Sequence, residues 1–140
     1  MKKIIFLLII ICGLLSGCQK SADPVLSPID QAVQNLTGGS NKRWFLRKQF
    51  LNGISQSLTE YQLQYWKDYT INPADHYNST YADRDGRTGR LRIDGFNRFR
   101  EVPSNGATPV PYDINILSAT EMDAEYSING VVTREVYYAN

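Results

Sequence analysis

The chain has 140 residues, with 15 lysines and arginines against 14 aspartates and glutamates, one histidine and two cysteines. A formal charge of +1 offers no electrostatic drive toward nucleic acid or an anionic membrane surface, which excludes partners selected by bulk charge. The length fits one small domain, and 42% hydrophobic residues can supply its core.

Lys2 and Lys3 precede a twelve-residue uncharged run, Ile4 to Leu15. A spanning helix needs about 20 apolar residues, so the run fits the hydrophobic region of an export signal. It ends in Leu15-Ser16-Gly17-Cys18. That tetrad resembles the lipobox of bacterial lipoproteins, an aliphatic residue and two small residues before a Cys. The resemblance implies a signal peptide over residues 1–17 that is cut before Cys18. It also implies acylation of Cys18, whose thiol takes the diacylglyceryl group, with palmitate-type chains as the membrane anchor. Two or three chains hold durably where one, at about 0.8 kcal/mol per buried CH₂, is marginal. Cys12 would be discarded with the signal, leaving no free thiol, disulfide or thiolate metal site. Cleavage would leave 123 residues with 13 basic and 14 acidic side chains. Gln19 follows the Cys where Asp often marks inner-membrane retention in that family. The expected location is therefore the cell envelope, at the outer membrane, on its periplasmic face or the cell surface.

Residues 18–27 read as a lipidated tether, small, polar and proline-containing. A short helix is predicted over Pro28 to Thr37. Ser27 caps it, Pro28 suits its first position, and Gly38-Gly39 ends it, while Ile29, Val33 and Leu36 form one apolar stripe.

From Lys42 the period becomes two. Leu51-Asn52-Gly53-Ile54 and Ile128-Asn129-Gly130-Val131 are predicted hairpins, because Asn-Gly accepts the positive φ of a type I′ turn. In the second, Ile128 should face Val131, Tyr126 Thr133, Met122 Tyr137, and Glu125 Arg134. Around the first, Trp44, Leu46 and Phe50 share a face with Tyr61, Leu63, Tyr65, Tyr69 and Ile71. Trp66 interrupts the polar opposite face. Asn72 to Gly89 reads as a polar connection with its turn at Asp85-Gly86. Arg90–Asp94 and Phe96–Val102 are predicted strands joined at Gly95. Pro103 to Pro111 reads as a loop rather than a hairpin, and Tyr112 to Leu117 as a strand. About seven or eight short strands point to an all-β fold over residues 28–140. The expected form is a small antiparallel up-and-down β-barrel with one short N-terminal helix.

The order of lipobox, tether, NLTGGSNKRWFL, a strand meander and YDINILSATEMDAEYSINGVVTREVYYA resembles the lipocalin-like domains of small Gram-negative lipoproteins. The resemblance spans Leu36 to Ala139. It implies a barrel of about eight strands that either fills with side chains or holds one small ligand. In lipocalins a Gly-x-Trp opens the first strand, and an Arg on the last strand packs over the Trp. Trp44 and Arg134 are the counterparts here. Gly39 lies five positions before Trp44, not two, and the hairpin register aims Arg134 at Glu125.

Nine tyrosines and two tryptophans can enclose an apolar ligand or simply fill a core, and a largely filled barrel is the expectation. Candidate ligand-binding side chains are Trp44, Tyr65, Trp66, Arg92, Tyr126 and Arg134. Six arginines between Arg84 and Glu101 read either as an anion site or as a solvated strand face, since Arg90, Arg92, Arg98 and Arg100 share parity. Asp83-Arg84-Asp85-Gly86 lacks the remaining ligand positions of a calcium loop and reads as a turn. His76, beside Asp75, has no second His or Cys and reads as an exposed loop residue. Nothing in the spacing of Glu60, Asp68 and Glu125 selects a catalytic pair. No phosphate loop, zinc spacing or nucleophile elbow is present. The expectation is a non-enzymatic, monomeric barrel with no metal or cofactor and no nucleic-acid partner. It is anchored to the membrane by its N-terminal lipid and binds a small apolar ligand. The alternative is a structural or interaction module whose partner is another envelope protein or a glycan.

Overall fold

The structure is a computed structural model that describes residues 25–140. The predicted signal, Cys18 and most of the tether lie outside the described residues. Helix α1, Pro28–Thr37, forms within its predicted bounds. The Ser27 hydroxyl accepts from the Asp30 N–H at 3.2 Å, and Gly38 ends the helix at φ +63°, a left-handed conformation that glycine adopts without a Cβ penalty. Ala32, Val33, Leu36 and Thr37 are its buried side.

Nine strands follow: β1 Asn41–Leu51, β2 Ile54–Gln56, β3 Trp66–Thr70, β4 Asn78–Asp83, β5 Thr88–Gly95, β6 Arg98–Pro103, β7 Val110–Leu117, β8 Glu121–Ile128 and β9 Val131–Ala139. A one-turn helix α2, Glu60–Leu63, lies between β2 and β3. All neighbours are antiparallel, and β1 also pairs with β9. That closes β1 and β3–β9 into an eight-stranded barrel with no free edge in its wall, while β2 extends β1 as a short hairpin arm. The β8–β9 register is the predicted one, with Ile128 facing Val131, Tyr126 Thr133, Glu125 Arg134 and Met122 Tyr137. Asn52 and Asn129, at φ +48° and +51°, each precede a glycine at +81°, as type I′ turns require.

Four local expectations are corrected. Phe50 does not share the face of Trp44 and Leu46, because one extra residue, Arg47, sits between the Leu46–Tyr137 and Lys48–Val136 pairs. The bulge reverses parity and turns Gln49 inward instead. Tyr61 and Leu63 are not on a strand. Thr59 and Gln62 form a capping box, each side chain holding the other's backbone N–H, and start α2. The polar connection after Asn72 contains strand β4, whose inward residues are Ser79, Tyr81 and Asp83. Polar inward positions hid its alternation. Finally, the Pro103–Pro111 segment does form a hairpin: β6 and β7 pair antiparallel across Ser104–Pro109, which carries Asn105-Gly106 with Gly106 at φ +79°.

Helix α1 lies across the barrel end formed by the start of β1 and the ends of β3, β5 and β7. There Trp44 Nε1 donates to the Leu36 carbonyl at 2.8 Å, Lys42 Nζ to the Asn35 carbonyl at 2.6 Å, and Asn35 Nδ2 to the Leu117 carbonyl at 3.3 Å. Leu36 of the helix is fully buried against Trp44, Tyr69, Leu91 and Phe99 of the barrel, which are fully buried too. This half of the barrel is filled, and the other half is not.

Candidate functional site

At the end opposite α1 the barrel holds a partly open cavity of about 370 Å³. Its aromatic wall is Tyr65, Tyr81, Tyr112 and Tyr126, with Tyr61 of α2 and Ile128 at the rim. Tyr112 is ordered by stacking on Phe99 at 4.8 Å and 11°, and Tyr126 meets Tyr112 edge-on at 5.0 Å. The floor is charged.

Lys67, from β3, is 4% exposed and points inward between Tyr65 and Tyr69. Its ammonium donates to Glu101 Oε1 and Oε2 at 2.9 and 3.0 Å and to the Tyr112 hydroxyl at 2.7 Å. Tyr69 and Tyr112 in turn donate to Glu101 at 2.8 and 3.2 Å. Burial alone would lower the pKa of Lys67, but the charges of Glu101 and Glu135 outweigh it and hold the ammonium above the ordinary lysine range. A second node lies toward the rim. Asp83 Oδ2 accepts from Arg87 Nε at 2.7 Å and from the Tyr65 hydroxyl at 2.8 Å, and its Oδ1 takes the Asp85 and Arg87 backbone N–H groups. The third node is Glu135, from β9 and 7% exposed. It accepts from Tyr137 at 2.7 Å and from Gln49 Nε2 at 3.0 Å, the residue that the Arg47 bulge turned inward. Burial pushes the phenols of Tyr65, Tyr69, Tyr112, Tyr126 and Tyr137 up, so they stay protonated at neutral pH. Among the described residues, no buried polar side-chain atom lacks a partner, and no group of metal-ligating side chains assembles.

Of the six candidate ligand-binding residues, Tyr65 and Tyr126 line the cavity. Trp44 is fully buried at the α1 end, with Lys42 Nζ rather than Arg134 over its ring, at 5.0 Å. Trp66 stands on the outer face under the Arg43 guanidinium, 4.0 Å from its ring centre. Arg92 also points outward, beside Asp94. Arg134 lies outside the barrel, on Asp123 and over the Phe50 ring at 5.1 Å. For Trp66, Arg92 and Arg134 strand alternation is the cause. Their neighbours Lys67, Leu91 and Glu135 occupy the inward positions. His76 and Tyr77 both reach Asp30 of α1, at 3.2 and 2.9 Å, which ties the β3–β4 loop to the helix.

Beside the wall residues Tyr81 and Tyr112, the charged residues missed from the sequence are Lys67, Asp83, Glu101 and Glu135. Each carries a charge at an inward strand position, two residues from Tyr69, Tyr81, Phe99 and Tyr137 respectively. A charge at apolar parity was the available signal. A scan against protein-family models finds no match, and searches of curated proteins and of solved structures find none.

Proposed function

We propose that this chain is a cell-envelope lipoprotein, anchored through an acylated Cys18 at the outer membrane, whose lipocalin-like barrel binds one small ligand without transforming it. The half-filled barrel carries the reading. A cavity of about 370 Å³ falls within the roughly 300–1,000 Å³ of small-molecule sites, and its tyrosine wall suits a ligand with an apolar body. The same alternation that fills the α1 end with Trp44, Phe99 and Leu91 places tyrosines and charged side chains around the space here. Native mass spectrometry of the protein extracted in detergent should show one bound small molecule per chain. An unliganded protein that also fails to take up added lipids and aromatic amines would refute ligand binding. Cys18→Ala should leave the chain unprocessed or released from membranes. Unchanged membrane fractionation would refute the anchor.

One observation favours a second reading, an interaction module. The β1–β2 and β8–β9 hairpin tips expose Leu51, Ile54, Ile128, Val131 and Val132 beside the cavity, and they are clamped together by Asn52 N–H to the Val132 carbonyl at 2.8 Å. A co-purifying envelope protein lost on Ile54→Ser with Val131→Ser would support it.

A further inference from the structure

We infer that the cavity is built for a small organic cation, an amine or quaternary ammonium carried on an apolar body, with Glu135 as its counter-ion. This rests on the ligand-binding reading above and names the chemistry of the same site. Two cations, Lys67 and Arg87, line the cavity against four carboxylates, Asp83, Asp85, Glu101 and Glu135. The capacity of each group decides what a ligand can use.

An ammonium has three donors and a carboxylate about four acceptor positions. Lys67 spends all three donors, two on Glu101 and one on Tyr112. It has nothing left for an anionic head group, and Arg87, more than half exposed at the rim, is engaged by Asp83, Asp85 and the Tyr65 hydroxyl. Glu101 receives four hydrogen bonds, from Lys67 twice, Tyr69 and Tyr112. Asp83 also receives four, two from backbone N–H groups and one each from Arg87 and Tyr65. Glu135 receives two, from Tyr137 and Gln49, both neutral donors. Among the described residues it is the buried carboxylate that no cationic side chain contacts, since Lys67 pairs with Glu101, Arg87 with Asp83 and Arg134 with Asp123. A buried charge without a contacting counter-charge is costly. A ligand cation there would fill the two open acceptor positions and make the direct contact that Lys67, committed to Glu101 and Tyr112, does not make. The tyrosine wall adds the second half of the recognition, because ring faces attract cations through their quadrupole. Phenols are neutral at pH 7, and burial raises the pKa values of Tyr65 and Tyr126 further, so the wall adds no competing anion.

The test is isothermal titration of the full chain in detergent micelles, with empty micelles as blank. Phenethylamine and phenyltrimethylammonium are the cationic probes, and 3-phenylpropionate is the near-isosteric anion. Saturable binding of either cation at one site per chain, at least about tenfold tighter than the anion, is expected. Glu135→Gln keeps the hydrogen-bonding shape while removing the charge, and should weaken the cation at least about tenfold. Blank titrations with both cations, an anion that binds as well, or unchanged cation affinity in Glu135→Gln would each overturn the inference. The wild-type comparison of cation and anion stands even where the variant fails to fold. If the anion or an added fatty acid binds while both cations do not, the cation inference fails and the ligand-binding reading survives. If nothing binds, both fail.

Discussion

Replacing Lys67 with methionine tests the polar floor most directly. The ammonium is buried and holds both oxygens of Glu101, whose side chain is 8% exposed. Methionine fills similar volume, so little cavity forms, but Glu101 keeps only the Tyr69 and Tyr112 donors. Removing one partner of a buried pair costs about 3–5 kcal/mol, and the two remaining phenol donors place this case near 3 kcal/mol. Since the environment raises the folded-state pKa of Lys67, its contribution is fully present below the ordinary lysine value of about 10.5 and is lost only as pH rises through the raised value. A measurement at pH 7 therefore captures all of it. In guanidinium chloride, with a slope of about 3 kcal/mol/M, the midpoint should fall by about 1 M. The fluorescence of buried Trp44 reports the transition. Adding Glu101→Gln should return at least half of the loss, because an amide can both accept from and donate to the two phenols without a buried charge. A single-variant loss below about 1 kcal/mol, or a double variant as unstable as the sum of the singles, would show that Lys67 and Glu101 are not a coupled buried pair.

Three further outcomes are expected. At Gly89 a Cβ would lie 2.1 Å from the Val102 carbonyl oxygen and 2.8 Å from the Tyr81 ring, so Gly89→Ala should cost about 3 kcal/mol or more by chemical denaturation, with the β4–β6 backbone amide NMR signals displaced. Trp44→Phe leaves the Leu36 carbonyl without its indole donor and should cost roughly 1–3 kcal/mol. Hydrogen exchange in α1 should speed up with it, whereas a deficit with unchanged α1 exchange would argue against the docking bond. The Arg134 hydrogen bond holds Asp123 below the usual carboxylate range, so that pair stabilises above about pH 3.8 and is lost as pH falls through the lowered value. Arg134→Met should therefore unfold at a higher pH than the wild type in an acid titration followed by circular dichroism, with a deficit near neutrality that shrinks at low pH.

Helix α1, the two Asn-Gly hairpins, the β8–β9 register and the all-β class are legible in the sequence. Each rests on local rules: a Ser cap and glycine stop, the positive φ that Asn-Gly tolerates, and an alternation uninterrupted from Met122 to Ile128. The sequence misleads where a local rule is broken by one residue or one polar side chain. The Arg47 bulge moved Phe50 outward and Gln49 inward, and Ser79 and Asp83 masked β4. Tyr65 and Tyr126 were legible as cavity residues because aromatic side chains at apolar parity point inward in a barrel whose interior is its apolar core. That Lys67, Glu101 and Glu135 share one interior follows from the closed barrel alone. They come from β3, β6 and β9, three strands that barrel closure brings around one space. No short-range pattern links them, since a charge tolerates burial only once its partner, 34 residues away for Lys67 and Glu101, is in place.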